Sequence, residues 1–246
     1  MQRKRREALI SLSILEYERE LSKRIGDLES SEAFSKIVQL VDSDMLYSLH
    51  IDVMRPPLIP DRSSFQLELI RDLYFLLHNK TVLEIHLMMN EPELLIQEIN
   101  RFIKPRQRAN IALIIQREAY VSEEGVIERL EIIRDLGYRT GIGFNLPTAF
   151  DSLTDDIIGN AGIVLIMSVP MGKGGQRFDV EALMRIKSVS ERFPDKLIKV
   201  DGGINDETAR SVVEAGAGIL VVGSYITRNK EPISVLMRLK GVLSQG

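Results

Sequence analysis

The stretch Gly162-Ile-Val-Leu-Ile-Met167 sets five large apolar side chains in a row. A strand with one face in water alternates apolar and polar residues. A run that is apolar at every position is therefore a strand covered on both faces, as in a parallel sheet with helices packed outside it.

Similar runs recur along the chain. Strands are expected at residues 8–14, 46–53, 81–87, 109–115, 139–144, 162–167, 197–200 and 218–222, each followed by a helical pattern. Over 123–136 the residues Val126, Ile127, Leu130, Ile133 and Leu136 recur at steps of three and four and line one helix face. Over 206–215 the acids Asp206 and Glu207 suit a helix start, and Gly216 follows as a stop. Pro232 suits a first helical turn before Ile233, Leu236, Leu239 and Leu243. Eight strand–helix units without a long linker predict an α/β fold, a single (β/α)8 TIM barrel. An open doubly wound sheet is the alternative, but its Gly-x-Gly-x-x-Gly turn after the first strand is missing.

The chain has 246 residues, 44% hydrophobic and 27% charged, ordinary proportions for a globular protein. A barrel of roughly 250 residues is one domain, so 1–246 reads as one unit, with residues 1–7 a basic extension. The apolar run after it is short and meets Glu16, Glu18 and Arg19 without a small-residue cleavage site, which argues against a signal peptide. A net charge of −3 offers no basic bias toward nucleic acid. No apolar stretch nears the roughly 18 residues that span a bilayer, so no membrane partner is expected. Cysteine is absent, which excludes disulfides and thiolate metal ligands, fits a reducing compartment and leads us to expect a cytoplasmic protein.

Barrel enzymes place reacting groups at the C-terminal ends of their strands. Those ends hold Ser13, His50 with Asp52, His86, Asn145, Ser168 and Asp201. His50 and Asp52 are two apart on a strand and share a face. A strand histidine is more often a hydrogen-bonded core residue than a ligand, and a strand-end Asp is often a helix cap. Two imidazoles and two carboxylates at matching strand ends nevertheless suit one divalent metal ion, with Zn, Fe(II), Mn and Co left open by the ligand types. Glycines point to phosphate: Gly172-Lys-Gly174-Gly175 follows strand six, Gly202-Gly203 ends strand seven and Gly223-Ser224 ends strand eight. Such loops bring backbone N–H groups close to phosphate oxygens, although each alone is also an ordinary tight turn.

At these residues the chain resembles the ribulose-phosphate 3-epimerase family, barrels of the ribulose-phosphate-binding type. Leu49-His-Ile-Asp-Val-Met54 resembles the family's second strand, and His86-Leu-Met88 with Pro92-Glu93 its third. Met167-Ser-Val169 with Gly172, Gly174-Gly-Gln176 and Phe178 resembles the sixth strand and its loop. Val200-Asp-Gly-Gly-Ile-Asn205, Thr208-Ala209, Ala215-Gly-Ala217 and Gly223-Ser224 resemble the last two units, and Ser13-Ile-Leu15 the first. The resemblance implies metal ligands His50, Asp52, His86 and Asp201, with Asp52 and Asp201 also acting as acid and base. It places Ser13 beside the site and Met54, Met88 and Met167 around the reacting centre. The implied reaction is C3 epimerisation of a phosphorylated ketose, most simply ribulose 5-phosphate to xylulose 5-phosphate, by two-base proton transfer through an enediolate. Family members often self-associate, so a homo-oligomer is an expectation by analogy.

The chain departs from the family at Arg55-Pro56, Gln116, Asn145-Leu-Pro147, Pro170-Met171 and Lys173. Arg55 and Lys173 are either solvated loop charges or contacts for a second anionic group, so another ketose phosphate, such as a hexulose 6-phosphate, is an alternative substrate. A non-catalytic sugar-phosphate-binding barrel is a second alternative. An orotidine-phosphate decarboxylase would need an Asp-x-Lys-x-x-Asp array, and the Asp52 strand has no Lys two residues on.

Overall fold

A computed structural model describes residues 8–244; the basic extension expected over residues 1–7 lies outside them. Eight parallel strands close into a barrel in chain order: β1 (Leu9–Ser13), β2 (Ser48–Met54), β3 (Val82–Met88), β4 (Ile111–Gln116), β5 (Arg139–Phe144), β6 (Ile163–Met167), β7 (Leu197–Asp201) and β8 (Ile219–Val222). Every strand expected from the apolar runs is present, with ends displaced by at most two residues. The displacements have a cause. Leu46 is apolar but packs on the core from the loop entering β2, so the pattern starts early there. Gln116 and Asp201 are polar but still lie in the ladder, so a reading by hydrophobicity stops short of them.

The helices form the outer layer: α1 (Glu32–Val41), α2 (Leu67–Leu77), α3 (Glu93–Phe102), α4 (Glu123–Asp135), α5 (Asp155–Asn160), α6 (Glu181–Arg192), α7 (Asp206–Glu214) and α8 (Pro232–Ser244). In α4 the stripe Val126, Leu130 and Ile133 is buried against the barrel, and Ile127 and Leu136 are partly so. Ser122 caps its start by accepting from the Gly125 N–H. At α7 the cap is Asn205, one residue ahead of the acids, in a reciprocal box with Thr208. Gly216 follows with φ +117°, and a Cβ there would strike Ser190, so only glycine ends this helix so closely packed.

Outward-facing strand residues and helix stripes make one continuous apolar core. The lumen is filled in levels. Ile114, Leu165 and Val221 pack together. Ser11, Ser48, Glu84 and Lys199 are buried polar residues of the same interior, joined by hydrogen bonds from Ser11 to Glu84 (2.7 Å), from Ser48 to Ser11 (2.8 Å) and from Lys199 to Ser11 (3.0 Å), and by a Lys199–Glu84 ion pair.

Candidate active site

Register builds the site. Asp52 lies opposite His86 across β2 and β3, His50 opposite Ser13 across β2 and β1, and Met167 opposite Asp201 across β6 and β7. His50 and Asp52 share a face because side chains repeat every second residue along a strand. The structure brings His50, Asp52, His86 and Asp201 together, each offering one ligand atom within 4.8 Å of the others.

Both imidazoles are fully buried. His50 Nε2 lies 3.2 Å from Asp52 Oδ1, and His86 Nδ1 lies 3.4 Å from the same oxygen. Neither nitrogen makes a hydrogen bond of acceptable geometry among the described residues, and His50 Nδ1, 3.5 Å from Glu84 Oε2, makes none either. Unpaired buried polar atoms are rare because each loses its water without replacement. Four convergent donors of nitrogen and carboxylate oxygen, three of their nitrogens without partners, fit a first-row divalent cation.

The two carboxyls differ. Ser13 Oγ donates to Asp52 Oδ2 at 2.8 Å. Burial alone would raise the Asp52 carboxyl, but the imidazoles of His50 and His86, once protonated, outweigh it and hold the group well below the usual carboxylate range. Asp201 is pushed up to about 6, first by burial and then by the Asp52 charge, against the opposing pull of His50, His86 and Lys199. Carboxyls driven apart in this way can divide acid and base roles between them.

Met54, Met88 and Met167 pack with Ile59 over the cluster as a small apolar group of their own. They and Ser13, Asp52 and Asp201 line a cavity at the barrel mouth. The same cavity is bounded by Gly174, Gly175, Gly202, Gly203, Gly223 and Ser224. Gly203 has φ +63°, and a Cβ there would collide with the Phe178 backbone. That contact admits only glycine and leaves the loop after β7 pressed onto the loop after β6.

Two loop expectations separate here. Lys173 lines the cavity. Arg55 does not: its guanidinium donates to the carbonyls of Met54 (2.7 Å), Ser64 and Phe65 (2.9 Å). It ties down its own loop, which corrects the reading of Arg55 as a contact for a second anion. Of the other strand-end residues, Asn145 accepts from the Met171 N–H (2.9 Å) and Ser168 donates to the Gly202 carbonyl (2.6 Å), so both hold loops.

Sequence reading passed over Glu84 and Lys199 as site neighbours and named Gln116 only as a departure from the family. Parity was the available signal. Glu84 and Lys199 stand two residues before His86 and Asp201, and Gln116 continues the inward set Ala112 and Ile114.

The fold and this cluster define a (β/α)8 barrel with a His–Asp–His–Asp constellation and glycine-rich loops at its C-terminal mouth. The model of the ribulose-phosphate 3 epimerase family matches residues 29–227, and the chain belongs to that family. It is 30% identical to the ribulose-phosphate 3-epimerase of Bacillus subtilis over 201 residues, covering 78% of this chain and 85% of that one. It is 31% identical to that of Synechocystis over 205 residues, covering 80% and 84%. The solved 3-keto-L-gulonate-6-phosphate decarboxylase of Vibrio cholerae superposes with a TM-score of 0.64 at 9% identity, over 98% of this chain and 99% of that one, a likeness of fold alone.

Proposed function

We propose that this protein epimerises a phosphorylated 2-ketose at C3, with ribulose 5-phosphate and xylulose 5-phosphate as the pair. Asp52 and Asp201 exchange the proton, and His50, Asp52, His86 and Asp201 would hold one divalent cation. The observation that carries this reading is the set of buried, unpartnered imidazole nitrogens aimed at an ionised carboxylate, with a second carboxyl beside it. Membership of the family and epimerase relatives at 30% and 31% identity support the reaction class.

When bound, a divalent cation supplies Lewis-acid stabilisation of the negative charge that develops as the C3 proton leaves. The chain does the rest. Asp52 sits on β2 and Asp201 on β7, three strands apart around the barrel, so a sugar between them meets a carboxyl from either side. One group removes the proton and the other returns one to the opposite face, which inverts the centre. Ser13 keeps Asp52 oriented through its 2.8 Å bond. Met54, Met88 and Met167 form a wall without competing donors and keep water from the reacting carbon. The loops at Gly174, Gly175, Gly202, Gly203, Gly223 and Ser224 hold the phosphate and so fix the sugar's register.

The test is solvent deuterium entering C3 across a panel of phosphorylated ketoses, with metal analysis of the purified protein beside Asp201→Asn. Wild type should carry a transition metal and exchange C3 with a pentulose phosphate, while Asp201→Asn should lose about 10²–10⁴-fold in rate. Metal-replete wild type that exchanges no ketose phosphate would end the proposal.

A further inference from the structure

The His86 ring is held from behind by a residue the proposed mechanism does not use. Gln116 Nε2 donates to Glu118 Oε2 at 2.5 Å, and a carboxylate can only accept, so the amide has one orientation. Its Oε1 therefore faces His86 Nε2, at 2.7 Å. Glu118 is itself fixed, because Oε1 accepts the Asn145 N–H at 3.0 Å. Space for the contact exists only because position 143 is glycine: a Cβ there would strike Gln116 Oε1 and lie 2.8 Å from His86 Nε2.

We infer that Gln116, clamped by Glu118, is a positioning residue that fixes His86 as its Nε2–H tautomer and thereby presents a bare Nδ1 to the cluster. An amide oxygen accepts and cannot donate, so Nε2 must carry the hydrogen. A neutral imidazole has one N–H, which leaves Nδ1 as a lone pair 3.4 Å from Asp52 Oδ1. Two acceptors then face each other, an arrangement that a cation between them relieves. The consequence for metal affinity rests on the metal-site reading above; the tautomer itself does not.

The test is a nitrogen–proton correlation spectrum of the metal-free protein, in which three histidines make assignment direct, together with zinc titration. Wild-type His86 should show the Nε2–H pattern. Gln116→Met keeps the volume and removes the acceptor. It should mix the tautomers and weaken zinc binding about 10- to 100-fold. Gln116→Glu combined with Glu118→Gln reverses the bond between the two side chains and keeps an acceptor on His86, so it should restore the wild-type pattern and most of the zinc affinity. An Nδ1–H tautomer in wild type overturns the inference whether or not any variant folds. So does Gln116→Met with unchanged tautomer and affinity. A wild type with the Nε2–H tautomer and no zinc affinity would support the tautomer assignment and sink the metal-site reading instead.

Discussion

Asp52 and Asp201 are chemically identical side chains pulled in opposite directions by what surrounds them. The Ser13 hydroxyl, and the two imidazoles once protonated, stabilise the charge on Asp52, while burial and that neighbouring charge disfavour ionisation of Asp201. The Ser13 bond is the simplest of these influences to remove. Hydrogen bonds to ionised groups contribute about 1.5–3 kcal/mol. Ser13→Ala should lower kcat/KM roughly 10- to 100-fold, a factor of ten corresponding to about 1.4 kcal/mol. Steady-state assays beside urea unfolding would check this; unchanged kcat/KM in a folded variant would show that Ser13 does not orient Asp52.

Among elements, β3 and β7 meet across the lumen through one buried ion pair. Lys199 and Glu84 are 0% and 1% exposed and share the Ser11 hydroxyl as a further partner. A buried pair gives little net stability against an apolar replacement, but removing one partner strands the other and costs about 3–5 kcal/mol. Lys199→Met alone should therefore lower the unfolding free energy by that amount. Lys199→Met with Glu84→Gln should recover more than half of the loss, since no buried charge is left alone. Equal losses in the single and double variants would mean that the pair is not coupled.

At the scale of the whole molecule, the cluster is a strained charge arrangement that metal binding should relieve. In the metal-free protein the Asp201 carboxyl is raised from 3.8 to about 6, so between these values the folded state binds more protons than the unfolded one. Stability then falls as pH rises through that window, by on the order of 1–2 kcal/mol after allowing for solvent reaching a partly buried group. Asp52 works in the opposite sense: its lowered pKa means stability is lost only as pH drops below the unfolded value of 3.8. Chelated wild type should melt at lower temperature at pH 7 than at pH 4.5, and Asp201→Asn should flatten the slope. Added divalent metal should raise the pH 7 melting temperature of wild type in proportion to log concentration. A chelated wild type with no decline between pH 4.5 and 7 would contradict the assignment.

The eight strands, the stripe of α4 and the C-terminal stop at Gly216 were legible in the chain, because hydrophobic periodicity and glycine conformation are local properties. His50, Asp52, His86 and Asp201 were legible as well, because strand parity and strand ends place them without knowledge of neighbours. The direction of Arg55 was not legible, since a guanidinium can reach solvent or its own loop with equal ease until the carbonyls of Ser64 and Phe65 are in place. Nor were the Lys199–Glu84 pair, separated by 115 residues, and the hold of Gln116 on His86 across 30. The sequence by itself determined the barrel and the strand ends that carry the His–Asp–His–Asp cluster, because both follow from spacing along one strand at a time. Only the tertiary structure decided which carboxyl is raised and which is lowered, and which acceptor faces His86, because these depend on charges and acceptors that closure of the barrel brings from distant strands.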